Sequence, residues 1–181
     1  MIRLERLDPT GDDHDALVDF LTRNAFPFHV RRSWTQDDAR KAIADRAFRD
    51  SENDTFWLID GDENRIGFVR LEDLEDPTPL FDLRLDQPYR GQGLGASALR
   101  SITDHVFETM PSVTRFEGQT REDNVAMRRV FLRCGWVKEA HYRESWPVDG
   151  GHPVASVAYA ILRRDWETGE TTPVEWDDLS L

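Results

Sequence analysis

A chain of 181 residues suits one ordinary domain better than two, because halving it would leave two cores of marginal size. Hydrophobic residues make up 39% and aromatics 10%, with six Trp and ten Phe, enough to fill a core; this excludes a wholly disordered, collagenous or low-complexity chain. Asp plus Glu number 35 against 23 Lys plus Arg, a net charge of −12 that repels a polyphosphate backbone, so bulk nucleic acid is not an expected partner.

In chain order, IRLERL alternates apolar and charged residues before DPTGDD, the pattern of a half-buried first strand and a turn. DHDALVDFLTRNAF follows as a helix, with Leu17, Phe20 and Leu21 on one side and acids in its first turn. FPFHVRRSW interrupts, since Pro27 disfavours helix at Phe26, and TQDDARKAIADRAFRD resumes helix with Thr35 or Asp37 as cap. TFWLI and RIGFVRL flank a Gly, Asp and Asn cluster as a hairpin, and PLFDLRLDQ is a third run. From Leu94 the period changes to helix, with Ala98, Leu99, Ile102, Val106 and Met110 at helical spacing. Strand SVTRFEGQT, helix NVAMRRVFLRC stopping at Gly135, strand WVKEAHYRESW, a DGGHP turn and strand VASVAYAILRRDW close the chain. This order predicts a single α/β domain with a mixed, mostly antiparallel sheet flanked by helices over residues 1–166, and a polar tail over 167–181.

No apolar run approaches the roughly 20 residues of a bilayer span, and the opening MIRLERLDPTGDDHD carries acids where a signal peptide needs an apolar stretch. A cytoplasmic protein with no membrane partner is expected. The lone Cys134 forms neither an internal disulfide nor a zinc cluster, so a packing role is expected and no metal.

Between the run FDLRL and the helix beginning at Leu94 lies Arg90-Gly91-Gln92-Gly93-Leu94-Gly95-Ala96. Glycines let backbone approach a ligand, and a helix N-terminus attracts an anion such as a pyrophosphate. Read as Gly91-x-Gly93-x-x-Ala96, with Glu117 as the ribose acid, the loop fits a dinucleotide fingerprint and a nucleotide (NAD or flavin) oxidoreductase. A dinucleotide domain, however, places such a loop after its first strand, and here three strands and two helices come before the strand that leads into it.

Read as Arg90-x-x-Gly93-x-Gly95 after Pro88-Tyr89, the loop resembles the acyl-CoA pyrophosphate loop of the GNAT superfamily of N-acyltransferases. About thirty residues on, Asn124, Met127, Phe131, Gly135 and Trp136 resemble the family's second stretch, and with Tyr159 and Asp165-Trp166 the likeness spans nearly the whole chain. It looks most like the ribosomal-protein and small-amine acetylating branch (RimJ/RimL-like).

The resemblance implies a GNAT-like acyltransferase domain with a central splayed strand pair, acetyl-CoA as co-substrate, and direct attack of a primary amine of a small molecule or peptide on the thioester. It also allows a homodimer. The pyrophosphate would lie on the amides of Arg90, Gly91, Gln92, Gly93, Leu94, Gly95 and Ala96, and the pantetheine arm beside Leu83 and Leu85, whose backbone N–H groups would polarise the thioester carbonyl. Asn124, as a cap, a cofactor contact or both, would join Met127, Arg128 and Phe131 at the cofactor. Asp82 is the first candidate for the base that takes the amine's proton, with Glu72 and Glu117 behind it. Phe28, His29 and Trp34 would line the acceptor wall. Many family members carry a Tyr general acid seven residues after the Asn; this chain has Phe131, so Tyr142, Tyr159 or water would protonate the thiolate. In the N-terminal acetylating branch a Ser aligns with Met127 and an acid with Trp146, and neither is present. A catalytically silent acyl-CoA-binding domain is the remaining alternative.

Overall fold

The structure is a computed structural model that describes residues 2–148 and 150–176. Its elements run β1 (Arg3–Arg6), α1 (His14–Arg23), α2 (Gln36–Ala44), β2 (Asp54–Ile59), β3 (Arg65–Glu72), β4 (Leu80–Leu85), α3 (Leu94–Thr109), β5 (Arg115–Arg121), α4 (Val125–Arg133), β6 (Val137–Trp146), β7 (Val154–Leu162) and α5 (Arg163–Thr168). Four strands form one sheet in the order β1-β2-β3-β4 and three form another in the order β5-β7-β6. The result is the expected single α/β domain, with antiparallel sheets flanked by helices.

Alternation along β2 explains why helices cover both faces of the first sheet. Phe56 and Leu58 join the core that α3 and α4 close with Leu99, Ile102, Val106 and Phe131. Trp57 and Ile59 point the other way, into a second core with Leu17, Phe20 and Leu21 of α1 and Ala39 and Ile43 of α2. A capping box fixes the start of α2: the Thr35 side chain accepts from Asp38 N and the Asp38 carboxylate accepts from Thr35 N. No helix among the described residues is long and apolar enough to cross a membrane.

Every ladder within the two sheets is antiparallel, so the expected mixed character comes down to the seam between β4 and β5. Among the described residues one backbone hydrogen bond crosses it, from Glu117 N to Pro79 O at 3.2 Å. Both strands begin beside this bond and run the same way, and beyond it they part. Aromatic rings hold them apart: a side chain at Gly118 would begin 2.6 Å from Phe81 Cε1 and 2.7 Å from Phe131 Cζ, so glycine alone fits. Phe131 stacks on Tyr159 of β7 at 4.7 Å and 6°, which braces that ring from behind.

Three expectations need correction. The helix expected through residue 50 ends at Ala44, because Asp45 closes it with bonds to Lys41 O and Ile43 O and Arg46 takes a left-handed φ of 59°. The last strand ends at Leu162 instead of running to Trp166. There the Arg163 guanidinium donates to the carbonyls of Phe107, Val113 and Met110, and α5 follows with Asp165 in its first turn and Gly169 at its end. The expected boundary after residue 166 therefore falls inside a helix, and Thr172 beyond it is held by Asp165 through Oγ1 at 2.6 Å and N at 3.1 Å. Residues 177–181 of the expected tail, and Asp149 of the expected DGGHP turn, lie outside the described residues.

Adding one methyl group at Gly118 overpacks the seam. Gly118→Ala is expected to lower unfolding stability by about 1–3 kcal/mol, measured by urea denaturation; wild-type stability in that variant would mean that the rings yield.

Candidate active site

Where β4 and β5 part, two cavities open, one on each side of the seam. One, of about 480 Å³, is walled by the glycine turn, Leu83 and Leu85 of β4, and α4. The other, of about 440 Å³, is walled by the segment between α1 and α2, by β4 and by Gln119 and Thr120 of β5. Each has the size of a small-molecule site. Phe28, His29, Leu83, Arg84, Asn124 and Met127 wall both, and so mark the junction at which the two adjoin.

The glycine turn owes its shape to the backbone at two of its glycines. Gly91 and Gly93 take φ values of +75° and +83°, and a side chain at either would meet no atom within 4 Å. Their glycine identity answers to backbone conformation, with open space alongside. Gly93 is the N-cap of α3 and has no side chain to cap it. Among the described residues no amide from Gly91 to Ala96 donates to another protein group. Unpartnered amides at the start of a helix, where its dipole is positive, suit an anion. Gly95 has a different reason: a side chain there would begin 3.1 Å from Val130, so it lets α3 meet α4.

The two arginines expected at the cofactor are both engaged elsewhere. Arg90 donates to Leu85 O at 2.8 Å, Ala25 O at 2.7 Å and Asn24 Oδ1 at 3.3 Å, tying the turn to the end of α1. Arg128 leaves the cavities for Glu122 O at 2.7 Å and the Tyr159 hydroxyl at 3.3 Å. Arg129 and Arg133 line the cavity beside the glycine turn, exposed and without an ion-pair partner among the described residues. Helical spacing held the signal, since Ala126, Arg129, Val130 and Arg133 share one face. Gln92 turns to Pro88 O, and Phe131 walls the 440 Å³ cavity only. Asn124 serves as the cap, accepting from Met127 N at 3.2 Å, and also faces both cavities.

The three carboxylate candidates separate. Glu117 pairs with Arg115 at 2.7 Å where β4 and β5 still touch, and walls neither cavity; that also removes it as a ribose acid. Glu72 reaches the 440 Å³ cavity but accepts from Arg70 Nε at 2.9 Å. Asp82 lies buried in that wall, bonded to Arg84 at 2.8 Å and to His29 Nε2 at 3.0 Å. Burial pushes its carboxyl up, but the charges of Arg84 and His29 and hydrogen bonds from both outweigh this and hold it far below the usual carboxylate range. Tyr159 is buried with its hydroxyl on Arg128, and Tyr142 is exposed on β6; neither walls a cavity. Trp34 walls the 440 Å³ cavity together with Trp146, Arg70 and Thr120.

The family model for the acetyltransferase (GNAT) domain matches residues 2–137. The chain belongs to the GNAT acetyltransferases, and is an acetyl-CoA-dependent N-acetyltransferase. No curated protein sequence matches it significantly. Among solved structures, the spermidine N-acetyltransferase from Vibrio cholerae in complex with CoA and spermine is similar with a TM-score of 0.77 at 18% identity, over 92% of this chain and 98% of that one. A dodecameric form of the Vibrio cholerae enzyme in an intermediate state is similar with a TM-score of 0.72 at 17% identity, over 91% and 95% of the two chains. At these identities the likeness to the Vibrio enzymes is one of fold.

Because its folded-state pKa is depressed, ionised Asp82 contributes stability that is present above the unfolded value of about 3.9 and is lost as pH falls below it. Asp82→Asn is expected to melt lower than wild type at pH about 6 and to lose less melting temperature on acidification to pH about 3. Equal losses in the two proteins would show that the carboxylate is not the titrating group.

Proposed function

We propose that this GNAT enzyme acetylates a small-molecule amine seated in the 440 Å³ cavity, and that acetyl-CoA occupies the cavity on the other side of the seam. The observation that carries the reading is the cradle of unpartnered amides from Gly91 to Ala96 beside unpaired Arg129 and Arg133: donors and positive charge on an otherwise acidic protein suit a polyphosphate group. When bound, acetyl-CoA supplies the acetyl group as a thioester. The amides of the turn hold the pyrophosphate end, and Leu83 and Leu85 lie along the arm. The β4 backbone at Leu83 to Leu85, unpaired on its β5 side, is assigned the N–H that stabilises developing negative charge, an effect of about 3 kcal/mol in comparable sites.

We assign the amine's proton to the Asp82–His29 pair. Asp82 stays ionised and is too acidic to keep a proton, so its part is to fix the imidazole at the junction of the two cavities. His29, which reaches both sides, is the group that carries the proton. Met127 and Trp146 line the cavity where an N-terminal acetylating enzyme of the RimJ/RimL-like branch would have a Ser and an acid, which supports the small-amine side of that branch. The lone half-buried thiol of Cys134 and the need for acetyl-CoA suit a cytoplasmic enzyme. For assembly we propose a multimer, a homodimer or larger, formed through the edge strand β6, whose residues His141 to Ser145 are exposed.

Removing Arg129 and Arg133 together (R129A/R133A) is expected to weaken acetyl-CoA binding at least about tenfold by calorimetry, while Arg128→Ala leaves the affinity unchanged. The opposite ranking would move the phosphate site to the other face of α4. Asp82→Asn is expected to slow thiol release from acetyl-CoA at least about a hundredfold with cofactor affinity intact; full turnover would transfer the proton to another residue.

A further inference from the structure

The acceptor-side cavity has no carboxylate to spare. Of its charged wall residues, Asp82 is bound by Arg84 and His29, with Arg70 a further 3.8 Å away, and Glu72 is bound by Arg70. Arg31 is itself paired with Asp38, outside the wall, at 2.8 Å. The wall is therefore close to neutral at short range. Its buried polar atoms without a partner are nitrogens: Trp34 Nε1, His29 Nδ1 and Arg84 Nη1. The Trp34 ring is also occupied, by Arg31 at 4.6 Å and by Arg84 at 5.7 Å, and the Phe28 ring by Arg121 at 5.6 Å. Aromatic side chains, among them Phe28, Phe81 and Trp146, supply the remaining apolar surface.

Resting on the acetyltransferase reading above, we infer that the acceptor is a monoamine with a flat apolar body, bound as its neutral base, and that polyamines are excluded. A second ammonium entering this cavity would lose its hydration and find no unpaired carboxylate, a cost of several kcal/mol before compensation. The net charge of −12 does not reverse this, because distant surface charges are screened beyond about 8 Å whereas the wall arginines are in contact range. A neutral amine escapes the cost and attacks as it arrives, and the proton assigned to the Asp82–His29 pair is the one its nitrogen sheds as the new C–N bond forms. The neutral wall thus selects against extra charge and holds the reactive protonation state. The Vibrio enzyme that binds spermine shares the fold, and this chain departs from it in acceptor class.

The test uses 2-phenylethylamine and spermidine as probes on the whole chain, by calorimetry with and without CoA and by thiol release from acetyl-CoA. The aromatic monoamine is expected to bind at least about tenfold more tightly than spermidine, with an affinity that rises with pH as its neutral fraction grows. Spermidine binding as tightly, or neither amine binding, overturns the inference. Arg70→Gln unpairs Glu72 and is expected to tighten spermidine binding about tenfold, a gain absent from R70Q/E72Q; no gain would overturn ion pairing as the determinant. If acetyl-CoA itself fails to bind, the acetyltransferase reading falls, and calorimetry with the two amines still decides the character of the cavity.

Discussion

Two strands that begin together at a single hydrogen bond and are then wedged apart by aromatic rings set up everything else in this protein. Had β4 and β5 paired along their length, the two sheets would have closed into one and neither cavity would exist. The wedge is possible because β5 carries Gly118 where the Phe81 and Phe131 rings press against its backbone, and because Tyr159 supports Phe131 from behind. Buried hydrophobic surface, ordinarily the force that closes sheets, here keeps a polar seam open. The cost is a strand edge with unpaired backbone groups, which a bound ligand can satisfy.

Much of this was legible in the chain. Changes of hydrophobic period marked most elements, and a glycine-rich turn entering a helix gave the cradle its place. What stayed hidden depended on side-chain direction. Glu117 and Asp82 are both acids on strands beside the seam, yet the first sits where the strands still touch and the second where they have parted. Arg128 and Arg129 are neighbours on one helix; helical spacing groups Arg129 with Arg133, and where β7 lies decides which group faces the cavity. The helix α5 was signalled by Asp165 and Gly169, but the strong β character of VASVAYAIL masked it.

Phe131 illustrates how a departure from a family pattern is absorbed. Its ring occupies a packed position between Tyr159, Trp136 and the Gly118 backbone, and a hydroxyl at Cζ would be driven against Gly118. Proton chemistry is left to the other rim of the junction, where His29 is fixed by a carboxylate that is itself fixed by Arg84. Arg84 in turn lies 4.7 Å from the Phe26 ring, so the chain of support runs from an aromatic core to a titratable edge.

The end of α1 joins the two halves of the machinery. Asn24 accepts from Gln87 N at 2.8 Å and Arg23 from the same helix pairs with Asp86 at 2.6 Å, while Arg90 returns to the carbonyl of Ala25. A few residues later the same stretch of chain supplies Phe28 and His29. Donor and acceptor recognition are thus mechanically one part, and transplanting the α1–α2 connection from a relative with a different appetite would disturb nucleotide affinity along with selectivity. Diversification in such a scaffold has to travel through the far wall, where Gln119 and Thr120 of β5 and Trp146 can change without pulling on the phosphate turn.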